Sequence, residues 1–128
     1  MLRPPVTPGL TDHEIPSILA AAAEAGARFA GYVPLRLPHA VSSLFDQWLA
    51  QHVPLKREKV LNRIRAMRGG KLNDPQFGSR MRGEGIFADQ IGQMFEAARR
   101  RAGIGEEGPS LSTAAFRPPA GKQVTLFQ

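Results

Sequence analysis

The stretch that most constrains this chain is the segment 5–14, which reads PVTPGLTDHE. Val6 is its last strand-like residue. Pro8 and Gly9 then form a turn pair, because proline presets φ and glycine accepts a positive φ. The segment therefore predicts a strand that enters a tight turn and passes directly into a helix.

The helix after this turn has a recognisable start and end. Thr11 and Glu14 have the spacing of a capping box, and Gly26 follows the run 15–25 as a stop signal. A second extended run covers residues 29–37. Strand, helix and strand in this order predict a βαβ unit with parallel strands, whose functional loop lies at the carboxyl end of the first strand.

Three further helices are predicted over residues 40–52, 56–68 and 86–102, each from apolar side chains at helical spacing. Their apolar stripes place the following residues in the core: Val41, Leu44, Phe45, Trp48, Leu49, Val60, Leu61, Ile64, Met67, Ile86, Phe87, Ile91, Met94, Phe95 and Ala98. Trp48 could instead be a stacking platform for bases, but its place on an apolar stripe favours the core.

Composition excludes several classes of function. The chain has 128 residues and no cysteine, which excludes disulfides, thiolate metal sites and a cysteine nucleophile. His13, His39 and His52 lack metal-ligand spacing, and no nucleophile elbow, P-loop or dinucleotide fingerprint is present. No apolar run approaches the ~20 residues of a membrane span, and no signal-peptide pattern is present. We therefore expect a cytoplasmic protein with no metal and no membrane partner.

Positive charge is concentrated in the middle of the chain. Residues 56–101 carry twelve Lys or Arg against five Asp or Glu, a net charge of +7. Residues 1–55 carry a net charge of −1, and residues 102–128 are neutral. This shift predicts a boundary near residue 53.

A glycine-rich loop, GGKLNDPQFGSRMRGEG, occupies residues 69–85 and is longer than ordinary connections. Loops of this length are usually functional or disordered. Phe77 and Met81 are predicted to anchor the loop on the body of the protein. Such anchors would hold Arg80 and Arg82 in fixed positions.

The positions of several charged residues can be explained by the structure of the helices as well as by a function. The arginine run 99–101 precedes Gly103, a position that the negative end of a helix dipole explains. Helix capping explains Asp12 and Glu14. Arg36 lies near the carboxyl end of the second strand, where it could pair with a carboxylate or contact a ligand.

Several longer segments resemble a known family. VTPGLTDHE is similar to the late barrel strands of radical S-adenosylmethionine (SAM) enzymes. With AGYVPLRLP, LFDQWLAQH, VLNRIRAMRGGKLNDPQFGSRMRGEG and the ending QVTLF, the chain resembles the C-terminal part of a bacterial radical SAM subfamily related to spore photoproduct lyase. The resemblance covers nearly the whole chain. The family's diagnostic C-x-x-x-C-x-x-C motif belongs to an N-terminal part, and this chain has no cysteine.

The resemblance implies an α/β fold. Residues 1–53 would form the C-terminal βαβ piece of a partial (β/α) barrel, residues 54–104 a basic, mainly α-helical extension, and residues 105–128 a flexible tail. The complete family member would bind SAM and a [4Fe–4S] cluster. We expect this chain alone to bind neither and to lack catalytic competence. Its partner would be the missing N-terminal radical SAM half.

The resemblance also implies two sets of site residues. The SAM pocket of the complete enzyme would be lined by Thr7, Pro8, Gly9 and Arg36. An anionic substrate or partner would be approached by Arg80 and Arg82. The relation to photoproduct lyase implies a nucleic-acid substrate and a role in DNA repair, by analogy alone.

The alternative is a stand-alone basic helical module that binds nucleic acid. Its support is the +7 block, because cationic side chains release counterions from phosphates. Few exposed aromatic residues are available there for stacking, and no helix-turn-helix pattern is clear. The salt dependence of binding distinguishes the two interpretations.

The end of the chain carries a candidate partner peptide. Gln123, Leu126 and Phe127 spell Q-x-x-L-F, which resembles the peptide that bacterial repair and replication proteins insert into the sliding clamp. Two large apolar side chains at the end of a polar, Pro/Gly-rich tail have no local core to join. The alternative is that they fold back as a hydrophobic clasp or extend a sheet edge.

Overall fold

The computed structural model describes residues 5–117. In chain order, its elements are β1 (Pro5–Val6), α1 (Ile15–Glu24), β2 (Val33–Pro34), α2 (Val41–His52), α3 (Arg57–Met67) and α4 (Ile86–Arg101). Short 3-10 turns, Asp12–Glu14 and Pro54–Lys56, lead into α1 and α3. Each helix begins and ends within one residue of its predicted bounds, so the helix predictions are confirmed. No helix in this part of the chain is long and apolar enough to cross a membrane.

The two strands are parallel, as expected, but they are short. β1 and β2 pair over two residues each, and an isolated parallel bridge joins Phe29 to Gly105. The prediction of a strand over residues 29–37 is therefore wrong in length. The physical reason is that β1 offers only two residues before the turn at Pro8, and Pro34 has no N–H to extend the ladder.

The turn after β1 differs from the predicted capping box. Thr11 Oγ1 accepts a hydrogen bond from the Thr7 N–H at 2.9 Å, and the Asp12 carboxylate accepts one from the Gly9 N–H at 3.0 Å. Thr11 makes no side-chain cap. The predicted box of Thr11 and Glu14 is therefore wrong, because the threonine hydroxyl closes the turn that precedes the helix.

Two clusters of buried side chains form the core. The first mainly joins β1, α1 and α4 through Val6, Ile15, Leu19, Ala30, Met67, Ala88, Ile91, Phe95, Ala98 and Ile104. The second joins the segment after β2 to α2 and α3 through Leu37, Leu49, Val60, Leu61 and Ile64. Both clusters include residues from either side of residue 53. The boundary predicted near residue 53 marks a change in net charge, but the packing of the core continues across it.

The face of α2 that the sequence assigns to the core is largely exposed. Leu49 is fully buried, but Val41, Leu44 and Trp48 expose 46%, 62% and 43% of their surface. The prediction that these three residues are core is wrong. Among the described helices α2 packs mainly on α3, so a single row of its side chains is covered. Ile86, in the first turn of α4, is also exposed and was wrongly assigned to the core.

Candidate functional site

The loop after β1 is closed and lies beneath α3. Thr7 and Pro8 are buried, and Gly9 has a φ of 77°. A Cβ atom at Gly9 would lie 3.3 Å from Cδ of Arg63 and 3.6 Å from Cε of Lys59. Glycine therefore suits both the positive φ and the close approach of the two cationic side chains.

The backbone of this loop offers few groups to a cofactor. The Thr7 and Gly9 amides already donate to side chains of the same loop, and Pro8 has no N–H. The role of these residues in lining a SAM pocket stays a prediction, and their contribution would be mainly shape, because the Thr7 carbonyl oxygen already accepts hydrogen bonds from the Leu10 and Thr11 amides. The residues present do not fit a [4Fe–4S] cluster, because the chain has no thiolate. Within residues 5–117, no three His, Asp or Glu side chains gather as a metal site.

The end of α3 carries a functional candidate that the sequence did not reveal, Arg68. This residue is 5% exposed. Its Nη2 donates to the carbonyl oxygens of Pro34 at 3.3 Å and Leu35 at 3.1 Å, and its Nη1 donates to that of Arg80 at 2.6 Å. The Arg68 guanidinium therefore ties the end of α3 to the carboxyl end of β2 and to the glycine-rich loop.

The charge of Arg68 has no close carboxylate partner. In the described part of the chain, no Asp or Glu oxygen lies within 4.0 Å of its guanidinium. Burial lowers the pKa of Arg68, Asp74 raises it, and Arg36 lowers it further. Arginine nevertheless stays protonated in proteins. A buried positive charge therefore lies at the carboxyl end of β2, where neutral carbonyl groups only partly offset its desolvation.

Asp74 organises the glycine-rich loop. One carboxylate oxygen accepts a hydrogen bond from the Gln76 N–H at 2.8 Å, and the other accepts one from the Ser79 hydroxyl. The Ser79 bond and then the Gln76 bond hold the pKa of Asp74 below its ordinary value of 3.8. Burial opposes them, and the charges of Arg68 and Arg80 lower the pKa by smaller amounts. The carboxylate thus lies in the field of two arginines without an ion pair to either.

The predicted anchors of the loop do not hold it. Phe77 is 82% exposed and Met81 is 37% exposed, so the prediction that they fix the loop is wrong. The Arg68 side chain holds the loop through the Arg80 carbonyl group. The Arg80 guanidinium lies over the Phe77 ring at 4.8 Å, and its Nε is buried without a hydrogen-bond partner among residues 5–117.

Arg82 lines a different surface, a groove of about 870 Å³ between α4 and the segment before β2. Tyr32 lines this groove, and its ring packs against Phe95 with centroids 4.7 Å apart. Burial raises the pKa of Tyr32, Arg82 lowers it, and Glu96 and Asp89 raise it. The groove therefore combines aromatic side chains with charges of both signs, and it lies toward the amino end of β2.

Arg36 lies exposed beside the carboxyl end of β2, close enough to Arg68 to lower its pKa. The carboxylate pairing considered for Arg36 is not observed within residues 5–117. A smaller cavity beside Arg68, of about 310 Å³, is lined by Lys71, Asp74 and Glu84 among others. Its mixed charges do not favour an anion.

The carboxyl ends of the two strands therefore gather basic side chains, which we call the cationic edge. Its members are Arg36, Lys59, Arg63, Arg68 and Arg80. Within the described residues, Arg63 is the one member with an ion pair, at 3.8 Å to Asp12. The cationic edge thus has one ion pair within the described residues, and Asp74 lies in the field of two of its members, Arg68 and Arg80.

Comparison with protein-family models, with curated proteins and with solved structures found no match for this chain. The functional argument therefore depends on the residues and on their geometry. The candidate peptide of Gln123, Leu126 and Phe127 lies outside the described residues.

Proposed function

We propose that this chain is the C-terminal portion of a radical SAM protein related to spore photoproduct lyase, and that it binds the anionic part of the substrate. The proposal is carried by one observation, the position of the cationic edge at the carboxyl ends of two parallel strands. In (β/α) barrels, the loops at this end of the strands hold the active site.

The shortness of the sheet supports the proposal that another part of the barrel packs beside it. Parallel strands occur almost only in sheets that are covered on both faces, and an isolated two-stranded pair is marginally stable at best. Here β1 and β2 pair over two residues each. Leu44 and Trp48 on α2 also lack cover within the described residues. Both features suit a chain that packs on the N-terminal half of a barrel.

The side chains present in this chain indicate which steps each half of the proposed enzyme would perform. The cluster and the electron transfer to SAM would belong to the N-terminal half, because this chain has no thiolate. The present residues would bind and orient the substrate through Arg36 and Arg80. Nucleic acid is the proposed substrate class by family analogy, and the cytoplasm is the proposed compartment.

Co-expression with a radical SAM N-terminal half that carries the C-x-x-x-C-x-x-C motif tests this proposal. We expect a stable complex, and 5′-deoxyadenosine formation after anaerobic reconstitution that depends on both chains. This chain alone should show neither cluster absorbance nor product. Cluster-dependent product from this chain alone, or no association of the two halves, would contradict the proposal.

Matched variants locate the contact between the halves. Leu44→Asp should abolish the complex, because it places a charge on the exposed apolar face of α2. Leu111→Asp is the control, since Leu111 is 93% exposed and lies outside every helix and strand. Equal effects of the two variants would exclude the α2 face as the contact.

A stand-alone nucleic-acid module is the second candidate, and the exposed cations of α3 favour it. Lys56 and Lys59 are exposed and have no ion pair in the described part of the chain. The aromatic row of α2 adds little, because the Trp48 ring already stacks on Phe45 and His52 at 6.1 and 4.9 Å. Tight oligonucleotide binding by the isolated chain, with a steep salt dependence, would favour this candidate.

The tail peptide remains a proposed contact with the sliding clamp. A buried apolar side chain contributes roughly 1.5–3 kcal/mol before ordering costs, so we expect micromolar binding. A peptide of residues 122–128 should bind purified clamp, and Leu126→Ala with Phe127→Ala should abolish this binding. If deletion of these residues instead lowers the melting temperature and the peptide does not bind, the tail is a clasp.

A further inference from the structure

We infer that the groove between α4 and the segment before β2 binds a zwitterionic amino acid with an apolar or aromatic side chain. Arg82 would hold the carboxylate of this ligand and Asp89 its ammonium group, and both residues line the groove together with Tyr32. The groove lies toward the amino end of β2, whereas the cationic edge lies at the carboxyl end. This site is therefore separate from the proposed substrate-binding surface.

The size and the apolar lining of the groove suit such a ligand. Its volume is about 870 Å³. Sites for small molecules in proteins usually have volumes of roughly 300–1,000 Å³ and are lined mainly by apolar side chains, with a few polar groups that fix the orientation of the ligand. Here the apolar lining consists of Ala30, Met81, Ala88 and Phe95. These side chains would cover the apolar side chain of the ligand.

Four charged side chains line the groove, and the chain itself engages two of them. Glu96 pairs with Arg99 at 2.7 Å, and Nε of Arg100 lies 3.9 Å from the same carboxylate. Arg82 and Asp89 have no ion pair with each other or with any other residue in the range 5–117. A ligand with one group of each sign would pair with both side chains at once, whereas a singly charged ligand would leave one of them unpaired.

The two unpaired side chains have the right chemistry for the two ends of a zwitterion. Arg82 comes from the glycine-rich loop, and its guanidinium presents a planar fork of donors that matches a carboxylate. Asp89 comes from the first turn of α4, and its carboxylate accepts hydrogen bonds, of which an ammonium group donates up to three. An amino acid carries both groups on one carbon atom, so this pair of side chains would bind it in a single orientation.

Tyr32 adds a hydroxyl group at the wall of the groove. A Cβ atom at Gly92 would lie 3.2 Å from the Tyr32 hydroxyl oxygen, and Gly92 is the one glycine within the four helices. Glycine inside a helix is destabilising relative to alanine, so α4 loses stability at the point where a side chain would crowd the hydroxyl. Burial raises the pKa of Tyr32 most, and the charges of Arg82 and Asp89 then act on it in opposite directions. The hydroxyl is therefore within reach of both charges.

Three ligands that differ in charge test the site on the unaltered chain. L-Phenylalanine carries both charges, N-acetyl-L-phenylalanine lacks the ammonium group, and L-phenylalaninamide lacks the carboxylate. Calorimetry at about pH 6, where α-amino groups are protonated, should give the tightest binding for L-phenylalanine. Each derivative should bind about fivefold more weakly, as expected for loss of one exposed ion pair. Equal affinities of the three ligands, or no saturable binding of L-phenylalanine, would overturn the inference.

Charge-removing variants assign the two contacts. Arg82→Gln should weaken the binding of L-phenylalanine about fivefold without weakening that of L-phenylalaninamide, which has no carboxylate to lose. Asp89→Asn should weaken the binding of L-phenylalanine by a similar factor without weakening that of N-acetyl-L-phenylalanine. Arg101→Gln is the matched control, because Arg101 is exposed on α4 and does not line the groove, and it should change the affinity less than about twofold. If Arg101→Gln weakens binding as much as Arg82→Gln, net charge decides the affinity and the site is wrong.

Tyr32 reports whether the ligand occupies this groove. It is the one tyrosine of the chain, so the ultraviolet difference spectrum of its phenol should change as L-phenylalanine saturates the site. Binding without a tyrosine signal would place the ligand elsewhere and contradict the inference. None of these measurements involves the cationic edge or an N-terminal half, so a negative result leaves the proposed function to its own test.

Discussion

The ends of α3 and α4 each hold a buried arginine, and the two arginines are satisfied differently. Arg68 and Arg99 are 5% and 7% exposed. Arg99 donates to the Ile104 carbonyl oxygen at 2.8 Å and pairs with Glu96 at 2.7 Å and Glu106 at 3.7 Å. The hydrogen bond that Arg99 donates to Glu96 raises the pKa of Arg99, whereas burial lowers the pKa of Arg68.

We propose that this difference separates a structural arginine, Arg99, from a functional one, Arg68. At the end of α4, the chain itself supplies the anions, so Arg99 closes the helix terminus, the role that its place before Gly103 predicts. At the end of α3, the acceptors of Arg68 are neutral carbonyl groups, and the described residues supply no ion pair to its charge. Burial alone does not distinguish the two roles. The identity of the hydrogen-bond acceptors does.

The largest effect should come from Arg68→Met. We expect this variant to lower the free energy of unfolding by about 2 kcal/mol, because three carbonyl groups lose their donor while the relief of a buried charge partly offsets the loss. Urea unfolding measures this change. The exposed control Arg101→Met should stay within about 0.5 kcal/mol of the parent chain.

Comparison of Arg68→Met with Arg99→Met tests the roles assigned to the two buried arginines. Added phosphate should stabilise the parent chain and Arg99→Met, because a ligand that binds the native state raises its stability. Arg68→Met should gain little from phosphate. If phosphate stabilises Arg68→Met as much as Arg99→Met, the two helix ends do not differ in function and the proposed assignment of roles is wrong.

A smaller effect should appear on acidification. The hydrogen bond from Arg99 holds the pKa of Glu96 below its ordinary value of 4.5. Burial is the next-largest influence and opposes it, and the charges of Arg99 and Arg100 lower the pKa by smaller amounts. A carboxyl group with a lowered folded pKa stabilises the fold above its unfolded pKa, and this contribution is lost as the pH falls through the folded value. The end of α4 should therefore loosen as the pH falls below 4.5.

The end of α3 should respond differently to acid. The acceptors of Arg68 are carbonyl groups that do not titrate, and the pKa of Asp74 is lowered from 3.8. Amide chemical shifts followed from about pH 5 to about pH 3 should therefore change at Ile104 as Glu96 is protonated, independently of any change at Arg80. Simultaneous changes at both positions would mean that the two ends open as one unit.

The helices could be predicted from sequence because periodicity and stop signals are local. The burial of Val60, Leu61, Ile64 and Met67 on α3 was predicted in the same way and is confirmed. Periodicity gives the apolar face of a helix but not what covers it. For this reason Trp48, on the stripe of α2, was wrongly assigned to the core.

The site was harder to predict because its contacts are distant in sequence. Arg68 contacts carbonyl groups 33 and 34 positions earlier in the chain, and no local pattern indicates such acceptors. In the sequence, it appears as one more cation after an amphipathic helix. The sequence correctly places Arg80 in the loop. Hydrophobicity, however, indicates Phe77 and Met81 as the anchors of the loop, and this prediction is wrong. The anchors found are the polar side chains of Arg68 and Asp74.

The smallest expected effect concerns the glycine-rich loop. This loop brings Arg80 to the end of α3 and Arg82 to the groove beside α4. Tyr32 reports on the α4 side, and it is the one tyrosine of the chain, so its ionisation can be followed directly by ultraviolet difference spectroscopy. Burial is the largest influence on the pKa of Tyr32 and raises it, while the charge of Arg82 lowers it.

Arg82→Gln should therefore move the pKa of Tyr32 further upward, because it removes the charge that favours the phenolate. Asp89→Asn should move the pKa in the opposite direction, since the Asp89 carboxylate raises it. Arg80→Gln is the matched control and should leave the titration unchanged, because Arg80 lies over Phe77 and beside Asp74. An equal shift from Arg80→Gln would place both arginines on one surface. The proposed anion-binding surface would then have to include the Tyr32 groove.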